Sequence, residues 1–76
     1  MAATRAQMER QLAAHRRAAA THRRAELLHG AAARQASAFG DQTRELRERG
    51  LEAAQAEAAA MEDERARLIV VALEAI

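Results

Sequence analysis

Only one stretch of this chain, Ser37-Ala38-Phe39-Gly40-Asp41-Gln42-Thr43, holds residues suited to stopping one helix and starting another. Gly40 fits the left-handed position that follows a helix C-terminus, and Asp41 can cap the helix that comes next. Proline is absent and glycine occurs three times, so few other positions can interrupt a helix. At the amino end, Thr4 followed three residues later by Gln7 has the pattern of a capping box. The sequence therefore predicts an all-α chain, a two-helix antiparallel hairpin forming one domain over residues 1–76. Its helices are expected at about 4–38 and 42–75, with the turn at about 39–41. Gly30 and Gly50 each cost about 1 kcal/mol relative to alanine inside a helix. A kink or break at either, giving a three-helix version, is the structural alternative.

Helical periodicity then assigns faces. In the first helix Ala14, Ala18, Thr21, Ala25, Leu28, Ala32 and Phe39 follow a four-three spacing, and Met8, Leu12, Ala19 and Ala33 mark a second stripe beside it. His15, His22 and His29, seven residues apart, fall between the two. The arginine pairs Arg16-Arg17 and Arg23-Arg24 turn toward water. In the second helix the expected seam is Leu46, Leu51, Ala54, Ala58, Met61, Leu68, Ala72 and Ala75. Toward the carboxyl end, Leu68, Ile69, Val70, Val71, Leu73 and Ile76 point in nearly every direction. A helix that is apolar all round needs cover on more than one side.

Half the residues count as hydrophobic, yet many are alanine and there is a single aromatic residue. Ordering costs about 1.5 kcal/mol per residue and apolar burial returns about 25 cal/mol per Å². An alanine seam is expected to fall short for a lone hairpin, which points to self-association as a helical bundle or coiled coil, most simply a dimeric four-helix bundle. Charge favours such pairing. Residues 1–40 carry seven arginines against Glu9 and Glu26, whereas residues 41–76 carry five arginines against nine acids, within a net charge of only +1. The expected interface residues are Leu28, Phe39, Leu46, Met61, Leu68, Ile69, Val70, Val71, Leu73 and Ile76.

Chemistry is harder to find. With no cysteine, the chain has neither disulfides nor thiolate chemistry. Ser37 is the only serine and no acid–base constellation surrounds it, so no enzyme activity and no small-molecule substrate are expected. Histidines seven apart lie about 10 Å apart along a helix, too far for two of them in one chain to hold one ion. Glu26 and His29 form a Glu-x-x-His pair, but without the second copy that a di-metal bundle uses. No metal or cofactor is expected. Packed in the neutral form, the three histidines would make a pH-sensitive seam, with stability falling as pH drops through the ordinary histidine range near 6.5.

Arg16, Arg17, Arg23 and Arg24 form a basic strip suited to phosphate contacts, so nucleic-acid binding is the rival expectation. Membrane binding is not expected: the longest apolar run, residues 68–73, is far below a span, and the basic helix lacks bulky anchors. The amino end lacks the apolar core of a secretory signal, leaving a cytoplasmic protein as the expectation. The function expected is a small protein–protein interaction module, an assembly, adaptor or co-chaperone component. A nucleic-acid-binding regulatory dimer is the alternative.

Overall fold

A computed structural model describes residues 3–76. Two helices, α1 (Arg5–Ala38) and α2 (Gln42–Glu74), pack antiparallel along their whole length as an all-α hairpin. The rod measures 55 × 18 × 13 Å, with a radius of gyration of 17.0 Å, against about 11 Å for a compact domain of this length.

Each end is built from local hydrogen bonds that the sequence encodes. Thr4 is extended and its hydroxyl accepts from the Gln7 amide, while the Gln7 side chain accepts from the Thr4 amide at 2.8 Å. Two of the otherwise unpaired first-turn donors are thereby satisfied. At the turn, Gly40 N–H donates to Ser37 C=O at 3.0 Å and Asp41 N–H to Ala36 C=O at 2.9 Å. This is a Schellman closure, and its left-handed residue is Gly40 at φ +73°. The Asp41 carboxylate then accepts from the Arg44 amide and starts α2.

Both helices run unbroken through Gly30 and Gly50. Gly30 is buried, and the Glu52 carboxylate leans into the space that a side chain at 30 would take. The glycine thus receives a neighbour's side chain rather than marking a kink.

The seam between the helices takes in the second α1 stripe that hydropathy selects, Met8, Leu12, Ala19 and Ala33, but neither the first α1 stripe nor most of the expected α2 seam. In α1 the inward residues are Met8, Leu12, His15, Ala19, His22, Glu26, His29, Ala33 and Ala36. In α2 they are Glu48, Glu52, Gln55, Ala59, Glu62, Ala66, Ile69 and Leu73. Both sets keep an unbroken alternation of four and three, the period of a left-handed coiled coil. The buried hydrophobic core is Ala19, Ala33, Ala36, Ala59 and Ala66, and among the described residues no large side chain is fully buried. Small residues let the helix axes approach closely, but they remove little apolar area from water. The expected α2 seam of Leu46, Leu51, Met61 and Leu68 is turned outward instead, with Leu46 at 73% exposure. Leu28 and Phe39, on the first apolar stripe of α1, are also exposed, Phe39 at 81%.

Candidate functional site

The three histidines stand at the centre of the seam, and each meets a polar residue of α2. His15 Nδ1 lies 2.5 Å from a Glu62 carboxylate oxygen, His22 Nδ1 lies 2.7 Å from the Gln55 amide oxygen, and His29 Nδ1 lies 2.6 Å from a Glu48 carboxylate oxygen. Each seven-residue step up α1 meets a seven-residue step down α2. Carboxylate and amide oxygens can only accept, so Nδ1–H is the donor in all three pairs. The result is a ladder with a single register: sliding one helix by a turn would break every rung and leave half-buried polar groups unpaired.

The surroundings of these histidines are thus not purely apolar. Carboxylates face His15 and His29, and an amide faces His22. Glu62 is held below the ordinary carboxylate value of 4.5, first by the hydrogen bond from His15 and further by the nearby charges of His15 and Arg65, while partial burial acts in the opposite direction. Arg65 donates to the second Glu62 oxygen at 2.9 Å. Glu64 is likewise lowered by its hydrogen bonds from Arg67, and Arg67 is raised by the same contact. Among the described residues no group of three or more His, Cys, Asp or Glu side chains is arranged to hold a metal ion.

The arginine strip divides. Arg23 is ion-paired with Asp63 across the helices, whereas Arg16, Arg17 and Arg24 are exposed and have no ion-pair partner among the described residues. Arg5 reaches the far end of α2 and donates to the Leu73 carbonyl at 3.2 Å. It lines a shallow cleft of about 460 Å³ with Leu12, Val70, Leu73, Glu74 and Ile76, where the start of α1 meets the end of α2.

The expected interface residues separate into three groups. Ile69, Val70 and Leu73 are half-buried against α1 and belong to the hairpin itself. Leu28, Phe39, Met61 and Leu68 are exposed on one broad side, as is Leu51, which sequence reasoning assigned to the seam. Leu46, Val71 and Ile76 are exposed elsewhere.

Heptad positions show why one side collects the bulk. With the inward residues at a and d, Arg23 and Asp63 are both e, and their ion pair marks one edge between the helices. The g positions, including Ala18, Ala25, Ala32 and Ala58, line the opposite edge and are half-buried there. Beyond them lie the c positions Ala14, Leu28, Met61 and Leu68. The c and g stripes of the two helices thus join into one face. Sequence reasoning found both stripes as apolar lines but took them for the seam, because the pairing of His with Glu across the helices is invisible from either helix alone.

Among the described residues no helix is long and apolar enough to cross a membrane. No protein-family model, curated protein or solved structure matches this chain, so its reading rests on the hairpin's own surfaces.

Proposed function

We propose that this chain is a small protein–protein interaction module, an assembly, adaptor or co-chaperone component, which works through its helix faces and self-associates. The observation that carries the reading is the inversion of its apolar side chains. Alanines and histidine pairs fill most of the seam, with Met8, Leu12, Ile69 and Leu73 half-buried at its open end, while Leu28, Phe39, Met61 and Leu68 stand in water. An isolated domain places bulk inside; a module that completes its core with another chain places bulk outside. The reading involves no catalysis, and a cytoplasmic setting accords with it.

Sedimentation velocity from micromolar to submillimolar concentration tests it. A mass of at least twice 8.3 kDa, or a co-purified protein held in a fixed ratio, is the expected result. A well-ordered monomer across that range, with no protein partner, overturns it.

The guanidinium groups of Arg16, Arg17 and Arg24, without an ion-pair partner among the described residues, favour one second reading, contact with nucleic-acid phosphates. Under that reading, Arg16→Gln with Arg24→Gln keeps the helical content and abolishes salt-dependent binding to duplex or structured RNA. No binding by the unaltered chain at low salt rejects it.

A further inference from the structure

We infer that a second copy of this chain covers the c and g face, related by a two-fold axis parallel to the helices, so that α1 of each copy lies over α2 of the other. The inference rests on the self-association proposed above and adds which face is used and how the copies are oriented.

The face is set apart by what it lacks. From Gln7 to Phe39, every c and g position of α1 is uncharged, although arginines occupy other faces of the same helix. The corresponding positions of α2 carry three charges, Arg44 and Arg47 beside the turn and Arg65, which is already paired with Glu62 at 2.9 Å; from Leu51 to Ala75 Arg65 is the one charge. Leu28, Phe39, Leu51, Met61 and Leu68 supply the bulk. Area fits a pair of chains. The accessible surface is 5485 Å², against about 4,600 Å² for a globular monomer of this mass. The excess, roughly 900 Å², is close to the ~800 Å² that each partner buries in a stable specific interface.

Charge selects the orientation. The outer rims of the face are the f positions: Arg10, Arg17 and Arg24 on α1, and Glu57 and Glu64 on α2, all exposed. Arg10, Arg17, Arg24 and Glu57 have no ion-pair partner in their own chain among the described residues. A two-fold axis across the helices would lay α1 on α1 and arginine rim on arginine rim. An axis along the helices lays the arginine rim on the acidic one, and it leaves every residue at its own height. The histidine ladder fixes those heights. Along the joined rim the order becomes Arg10, Glu64, Arg17, Glu57, Arg24, with neighbours offset by three or four residues, about 5 Å of helix rise. Basic and acidic groups alternate without any slide of the two copies. Both turns fall at one end, where the two Phe39 rings meet.

Leu27 and Leu28 provide the test, because both are exposed and they differ in face: Leu27 is a b residue on the opposite side. Sedimentation equilibrium is expected to show a dimer for the unaltered chain and for Leu27→Glu, and a monomer for Leu28→Glu, with circular dichroism reporting the helix content of each. Reversing the rim with Arg17→Glu and Arg24→Glu is expected to raise the dimer Kd by about tenfold. Adding Glu57→Arg and Glu64→Arg is expected to restore it. Because these rim positions are exposed, the reversal set reports on the interface even if Leu28→Glu loses its helices. A dimer that Leu27→Glu dissociates and Leu28→Glu does not overturns the face while leaving self-association standing. Failure of the fourfold reversal to restore affinity overturns the orientation. A monomeric unaltered chain overturns both, together with the function proposed above.

Discussion

The short contact between His15 and Glu62 joins a donor and an acceptor that are each only partly covered, with side-chain exposures of 31% and 15%. Because Glu62 is lowered in the folded chain, chiefly by the hydrogen bond from His15, protonating it costs more there than in the unfolded chain. The sign follows: its contribution to stability is fully present above the ordinary carboxylate value of 4.5 and is lost as pH falls through the lowered folded value. Thermal melts are expected to show a midpoint that falls below about pH 4.5, and Glu62→Gln is expected to flatten part of that fall. The remainder belongs to other carboxylates such as Glu64, lowered by Arg67. If Glu62→Gln loses as much stability between neutral and acid pH as the unaltered chain, the rung contributes nothing through ionisation. The seven-residue spacing of the three histidines was legible in the sequence. Their partners were not, since Glu48, Gln55 and Glu62 resemble any solvated stripe of a helix until the second helix is laid antiparallel in one register.

Within each helix, ends were more legible than faces. Thr4, Gln7, Gly40 and Asp41 act through neighbours three to five residues away, so their roles follow from local sequence, and the helices begin and end within a residue of the expected bounds. Faces depend on what lies across the gap, and an alanine-rich helix offers several stripes of similar hydropathy. Gly50 and Gly40 separate helix propensity from turn conformation. Gly50 sits mid-helix, and a methyl group there would meet nothing within 4 Å. Gly50→Ala is therefore expected to stabilise the chain by about 0.5–1 kcal/mol through helix propensity and the unfolded state. Gly40 has open space too, but its φ of +73° penalises any L side chain, and Gly40→Ala is expected to destabilise by about 1–2 kcal/mol. Chemical denaturation at one fixed protein concentration compares them. Shifts of the same sign for both would show that the turn conformation does not limit stability.

For the whole molecule, one account joins the thin interior to the exposed bulk. Five alanines and three polar rungs fix how α1 and α2 meet but bury little apolar area, whereas the c and g face holds the side chains able to bury more. Hydropathy found part of the α1 seam, Met8, Leu12, Ala19 and Ala33, and misplaced the α2 seam, whose inward residues are mostly polar or alanine. The first α1 stripe and most of the α2 stripe that hydropathy selects lie instead on the outer c and g face. If folding and pairing are coupled, the melting midpoint must depend on protein concentration, because assembly draws the equilibrium toward the folded state by mass action. Unfolding entropy near 2 cal/mol/K per residue, summed over two chains of this length, gives a rise of about 4 °C for each tenfold increase in concentration. Leu27→Glu should keep that slope, since its side chain points away from the face. Leu28→Glu should remove it and lower the midpoint to that of the lone hairpin. A midpoint independent of concentration in the unaltered chain, at concentrations where sedimentation shows a dimer, would mean that the alanine seam and its histidine rungs hold the fold unaided.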